Sequence, residues 1–186
     1  IPEKINITTD INDIKDSMIT VLATPSFAIR ETAKRLKSQK DFGVLVNVAK
    51  GLESESLKRL SQVIEEELPS ASLVVLSGPS HAEEVARKIP TMLTASSLKA
   101  ECSDLVQKVF SNDFLRVYTN PDIVGVELGG ALKNVIAVAA GLCDGMGLGD
   151  NSKAALITRG LAEMIKKEKK MGAESTTFSG LTGLGD

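Results

Sequence analysis

Tryptophan is absent, tyrosine and histidine occur once each, and aromatic residues make up only 3% of the chain. Proteins that grip single-stranded nucleic acid stack bases on aromatic faces, and this sequence has almost none to offer. Positive charge is not in surplus either. The 22 Lys and Arg stand against 24 Asp and Glu, a net charge of −2, which excludes a nucleic-acid binder working through bulk charge. The two cysteines, Cys102 and Cys143, lie far apart and fit no metal-ligand spacing. No metal is therefore expected, and a reducing, cytoplasmic compartment is the default. No uninterrupted apolar run approaches the ~18 residues of a membrane-spanning helix, and no signal-like segment opens the chain, so no membrane insertion is expected. What remains is an ordinary composition, 42% hydrophobic and 25% charged. At 186 residues the length suits about one domain and part of a second. A chain that begins at Ile1 and stops at Asp186 inside a Gly-rich turn reads as a piece of a longer one.

Up to Tyr118 short β-branched runs alternate with polar segments of helical period. Strands are predicted at residues 18–23 (MITVLA), 43–48 (GVLVNV), 73–76 (LVVL), 91–95 (TMLTA) and 115–119, with a weak one at 5–8. Helices are predicted at 26–37, 54–67, 81–87 and 99–110, two of them closed by Pro69 and Pro90. Continuous apolar strands joined by helical crossovers imply a parallel sheet covered on both faces. Beyond Pro121 the strand signal ends. Residues 122–142 form a nearly all-apolar helix, expected to be deeply buried. A Gly-rich break at 141–149 follows, then an amphipathic helix at 152–169 that Asp150 or Asn151 could cap. The fold class is thus α/β followed by all-α, with a boundary between residues 1–121 and 122–186.

In an open parallel sheet, ligands bind beyond the carboxyl ends of the strands. Three of those ends carry polar or small residues: Thr24-Pro25-Ser26, Ala49-Lys50-Gly51 and Ser77-Gly78-Pro79-Ser80. Ser80 with Glu83 three residues on is a capping box. The same helix start could receive a phosphate, and Gly78 would let a ligand approach the backbone. Lys50 places a cation at the mouth of the crevice, as a surface lysine or as a phosphate ligand. Lys133 stands in the middle of the apolar helix and leans over Gly129 and Gly130. The paired glycines are expected to leave room beside its ammonium, and burial would favour the neutral form that proton transfer needs. The alternative is a lysine that reaches out to solvent. The Gly-rich runs at 145–149 and 180–185 follow no strand and lack G-x-G-x-x-G spacing. His81 pairs with no nucleophile, and Lys166–Lys170 is a solvated helix end.

Several of these segments occur together, and in order, in one enzyme family. VLATPS (21–26), NVAKGLE (47–53), LSGPSHAEEVA (76–86), the long stretch 116–164 containing GVELGGALKN, and TFSGLTGLGD (177–186) resemble the bacterial-type NAD(P)-dependent sn-glycerol-3-phosphate dehydrogenases. The resemblance implies a partial Rossmann-like domain followed by the start of a helical substrate domain. It also implies reversible interconversion of dihydroxyacetone phosphate and sn-glycerol 3-phosphate, with NAD or NADP as cofactor, for glycerophospholipid synthesis. By the same resemblance Lys133 of the ALKN segment transfers the proton and touches substrate. Lys50 of the KG motif meets cofactor and substrate, Gly78 and Ser80 line the substrate site, Ala82 lies against the cofactor, and Asp186 belongs to the substrate site.

The family's G-x-G-x-x-G turn and its phosphate-gripping Arg-Asn pair have no counterpart in these residues. Little cofactor binding and no turnover are expected of the chain by itself. An open apolar sheet edge favours self-association, with a homodimer among the outcomes. Two other readings compete: a related 6-phosphogluconate or β-hydroxyacid dehydrogenase, and a non-catalytic α/β module.

Overall fold

The computed structural model describes residues 4–39, 41–183 and 185. Five strands form one sheet in the order β1-β2-β3-β4-β5. They are β1 (Ile19–Leu22), β2 (Val44–Asn47), β3 (Leu73–Ser77), β4 (Thr91–Ser96) and β5 (Leu115–Asn120). The first three run parallel, connected through α1 (Ile29–Leu36) and α2 (Leu60–Glu67). β5 is parallel to β4, connected through α4 (Ala100–Phe110).

The all-parallel expectation fails at one place, because β4 runs antiparallel to β3. The connection between them holds only the five-residue α3 (Ala82–Ala86). A parallel crossover has to carry the chain back along the whole sheet, usually on a full helix. Here the chain turns back instead, and its register pairs Ser77 with Thr94. The consequence matters for function: the amino end of β4 lies beside the carboxyl end of β3.

The strand alternation sends side chains to two cores. Leu22, Leu45 and Leu73 pack with Ile29, Ala33, Leu60 and Ile64 of α1 and α2. Val46, Val74, Leu76, Leu93 and Val117 face Cys102 and Val106 of α4 on the other side. α5 (Ile123–Gly145) sets Ile123 and Val126 against Val75. Val75 alternates with Val74 and Leu76, so α5 shares a face with α1 and α2. α6 (Gly149–Lys170) returns along α5, and α7 (Ser175–Phe178) buries Phe178 at their base.

Other expectations are corrected as well. Residues 5–8 form no strand, and the segment 54–59 is loop, so α2 starts only at Leu60. α5 is deeply buried only as far as Gly130; beyond it Val135, Val138 and Leu142 are 60–65% exposed. The helix runs through Gly141 to Gly145, so the break shrinks to residues 146–148. Leu148 is the N-cap residue of α6 and makes no side-chain cap bond, leaving Asp150 in the first turn. At 23 residues α5 is also long and apolar enough to cross a membrane by length and composition, contrary to the expectation that no segment is. Its first half is instead docked on the sheet, with Glu127 buried in an ion pair to Arg59. Both cysteines are buried and free.

Candidate active site

The three strand-end turns meet side by side. Gly51 has φ +132°, and a Cβ there would come within 3.2 Å of the Ser26 side chain, so the turns after β1 and β2 touch. Lys50 reaches over from the second turn, and its Nζ donates to the Gly78 carbonyl oxygen at 2.8 Å. Ser80 Oγ donates to that same oxygen at 3.1 Å. Gly78 is buried, with φ +141°, and a Cβ would lie 3.0 Å from the Met92 carbonyl oxygen. The glycine therefore allows the close passage of β4.

The expected capping box does not form. Ser80 is turned to Gly78, His81 is the N-cap residue of α3, and the His81 Nδ1 stands 2.7 Å from Glu83. Glu83 titrates below the usual carboxylate range, first because its own backbone N–H donates to it and then through His81. A helix of one turn carries little of the macrodipole that a longer one builds, so the phosphate-binding helix start also falls away.

α5 completes the site from above. Gly130 sits on the strand end: a Cβ there would be 2.7 Å from Ser77 Oγ and 3.7 Å from Lys50 Cγ. Gly129 faces the other way, where a Cβ would be 2.4 Å from the Thr182 carbonyl oxygen. The double glycine thus serves close packing: it lets the helix backbone press on the strand end and on the 180–183 turn. Lys133 itself is half-buried, so the deep burial expected for it is not reached.

The result is a cavity of about 380 Å³ lined by Lys50, Ser80, His81, Glu84, Met92 and Lys133, among others. Of the residues predicted from sequence, Lys50, Ser80 and Lys133 converge here, and Gly78 supplies the carbonyl that orients two of them. Ala82 is exposed at the start of α3, outside the lining. Asp186 lies outside the described residues. Lys133 also borders a smaller apolar cavity of about 190 Å³, walled by Ile136, Ile157, Leu161, Met164 and Phe178 between α5, α6 and α7.

The sequence reading missed the walls contributed by His81, Glu84 and Met92, because they depend on the reversed β4. It also missed Glu127, although a lone acid in an apolar helix was a legible signal. Glu127 accepts from Arg59 Nη1 at 2.6 Å, from the Ser61 backbone N–H at 2.8 Å, and from Ser61 Oγ. Burial pushes its carboxyl above the usual range, while Ser61 and Arg59 pull it back. At the strand ends two buried hydroxyls, Thr24 Oγ1 and Ser77 Oγ, have no hydrogen-bond partner among the described residues. Nor do the described residues hold any His, Cys, Asp and Glu cluster able to bind a metal.

Comparison with known proteins gives a consistent picture. Residues 1–103 match the family described as NAD-dependent glycerol-3-phosphate dehydrogenase N-terminus, and residues 122–186 match its C-terminus counterpart. The chain is 53% identical over 188 residues to a glycerol-3-phosphate dehydrogenase [NAD(P)+] of Clostridium perfringens, and 52% identical to one of Thermoanaerobacter. Each alignment takes in 100% of this chain and 57% of the relative, so the chain spans a little over half of their length. The crystal structure of glycerol-3-phosphate dehydrogenase from Coxiella burnetii superposes with a TM-score of 0.92 at 37% identity, covering 100% of this chain and 57% of that one. The enzyme from Saccharomyces cerevisiae gives 0.85 at 27% identity, covering 96% and 55%. With both halves of the chain matched, and the Rossmann-type sheet and helical part superposing on solved members, the chain belongs to the NAD-dependent glycerol-3-phosphate dehydrogenase family.

Proposed function

We propose that this chain carries the substrate site of an oxidoreductase that interconverts dihydroxyacetone phosphate and sn-glycerol 3-phosphate with NAD or NADP. The observation that carries the reading is the meeting of two lysines from distant elements, Lys50 and Lys133, on one polar cavity at the carboxyl ends of the strands. That is the place where doubly wound sheets take their ligands. Membership of the family disfavours the 6-phosphogluconate and β-hydroxyacid alternatives.

Two cations in one pocket suit a substrate that is both a phosphate ester and a ketone. Lys50, held by the Gly78 carbonyl, offers a point charge to the phosphate. Lys133 Nζ hydrogen-bonds the carbonyl oxygen and gives it a proton as the carbon is reduced; in the oxidation direction it takes the hydroxyl proton back. Ser80 lines the pocket beside them. Balance requires that the carbonyl π bond be replaced by one C–H and one O–H bond. A nicotinamide cofactor, when bound, supplies the hydride. The residues present fit part of such a cofactor: Lys50 and the unpartnered hydroxyls of Thr24 and Ser77 stand at the carboxyl ends of β1 to β3. They do not fit its pyrophosphate, since among the described residues no Gly-rich turn follows a strand.

The division at residues 121–122 into a nucleotide-binding part and a substrate part belongs to the same proposal, as do Asp186 as a substrate residue, a cytoplasmic setting and a homodimeric assembly. The test is steady-state kinetics on the whole protein. Lys133→Ala is expected to lower kcat by about 10²–10⁴-fold with cofactor affinity kept. Lys50→Met is expected to raise KM for the phosphorylated ketone. A Lys133→Ala enzyme within about threefold of the unmutated rate does not use Lys133 as its acid.

A further inference from the structure

Glu127, Gly130 and Lys133 follow one another at three-residue intervals along α5, so they form one stripe on the helix. Each meets a different part of the same chain segment or its cavity. Glu127 is held by Arg59 and Ser61 at the start of α2. Gly130 presses on Ser77 and on the Lys50 side chain. Lys133 lines the same cavity as Lys50. The segment from Lys50 to Arg59 is itself closed into a loop. Leu52 bridges Arg59, the Glu53 N–H donates to the Lys58 carbonyl oxygen at 3.0 Å, and Arg30 grips the Glu53 carboxylate through Nε and Nη2 at 2.6 and 2.8 Å. One end of this stapled loop carries Lys50, and the other end is fastened to the helix that carries Lys133.

We propose that the buried contact of Arg59 and Ser61 with Glu127 is the positioning element that holds Lys50 and Lys133 in register across the cavity. The inference rests on the functional reading above only in taking the two lysines to work together. Stability alone does not account for an ion pair here. Arg59 and Glu127 are 14% and 5% exposed, and a buried ion pair is commonly matched or bettered by apolar residues of the same volume. What the pair adds is direction: a guanidinium N–H, a backbone N–H and a hydroxyl, all aimed at one carboxylate, admit a single axial and rotational setting of α5. An apolar contact at the same place would let the helix slide and turn. Gly130 makes such sliding easy, since it has no side chain to lock against Ser77. Arg59, Ser61 and Glu127 do not line the cavity; they act through the two lysines.

The test uses this chain and a short amine-to-amine cross-linker, with products located by peptide mass spectrometry. The unmutated chain is expected to give a Lys50–Lys133 cross-link. The double variant Arg59→Met/Glu127→Leu, which leaves no uncompensated charge, is expected to keep its far-ultraviolet spectrum and its Lys166–Lys170 cross-link while losing most of the Lys50–Lys133 product. Arg59→Lys, which keeps the charge, is expected to recover part of it. A folded double variant with an undiminished Lys50–Lys133 yield overturns the proposal. So does a double variant that fails to fold while Glu127→Gln folds with full yield. The functional reading fails separately: if glycerol 3-phosphate protects neither lysine in the unmutated whole protein, the clasp can stand while the assigned substrate does not.

Discussion

Two glutamates are buried in the helical part of the molecule, one at each of its junctions, and they behave as opposites. Glu127 lies where α5 meets α2 and the sheet, and its carboxylate is fully used by Arg59 and Ser61. Glu168 lies near the carboxyl end of α6, where α6 meets the start of α5 and α7. It is 1% exposed, and neither of its carboxyl oxygens has a hydrogen-bond partner among the described residues. Its nearest charged influence is Asp122, already engaged with the N–H groups of Gly125 and Glu174. Burial and the Asp122 charge together push Glu168 up to about 8. A buried carboxyl is thus a fastener when donors converge on it and a liability when another carboxylate faces it.

The largest effect is expected where the fastener is cut on one side only. Glu127→Leu leaves the Arg59 guanidinium and the Ser61 N–H without their acceptor, and should lower stability by about 3–5 kcal/mol. Urea unfolding of the variant against the unmutated chain measures it; a loss below about 1 kcal/mol would mean that water replaces the carboxylate easily. Gly129→Ala attacks the opposite contact of α5, with the 180–183 turn, through shape. Its Cβ would enter the space of the Thr182 carbonyl oxygen, 2.4 Å away, and the overpacking should cost about 1–3 kcal/mol, read by the same unfolding curve.

Glu168→Leu should move stability the other way. Removing an unpartnered carboxyl from an apolar surround is expected to gain about 1–3 kcal/mol at pH 9. The sign with pH follows from linkage. The folded state holds this proton up to about 8, whereas the unfolded chain releases it near 4.5. The unmutated chain therefore loses stability as pH rises from about 4.5 through 8. Melting temperature against pH should slope downward across that window in the unmutated chain and flatten in Glu168→Leu. Equal slopes in both would place the titrating group elsewhere.

The smallest effect belongs to the surface network of α1 and α2. Arg30 contacts Glu53, Glu66 and Glu67, and holds Glu53 down to about 2. The network lies at the protein surface, where solvent screens ion pairs, so Arg30→Met should change stability at pH 7 only slightly. Because the folded carboxyl titrates lower than the unfolded one, whatever Glu53 contributes is present above about 4.5 and lost as pH falls through 2. Thermal melts at pH 7 and pH 3 check this, and a large loss at pH 7 would show that the Glu53 loop depends on Arg30 alone.

Much of the fold was legible in the residues. The β-branched runs at 18–23, 43–48 and 73–76 became β1 to β3 within a residue or two, because strands buried on both faces need unbroken apolar sequence. The polar turns after them drew attention to Lys50, Gly78 and Ser80, and the charge within the apolar helix drew attention to Lys133. The same apolar content misled at α5. Its composition is nearly all apolar, yet most of its second half is exposed, and periodicity carries little information when almost every position is apolar. Residues 5–8 form no strand for another reason: among the described residues no strand pairs with them, and four residues cannot make the hydrogen bonds alone.

Local chemistry determined which residues could form strands, which turns were polar, and where lysines stood that could serve a phosphorylated substrate. Those properties are set within a few neighbours along the chain. The direction of β4, the meeting of Lys50 with Gly78, the use of Gly129 and Gly130 as contact surfaces, and the contrast between Glu127 and Glu168 were decided only by the tertiary structure. Each depends on what lies opposite a residue in space, and a carboxylate's worth is fixed by the donors that reach it, from however far along the chain they come.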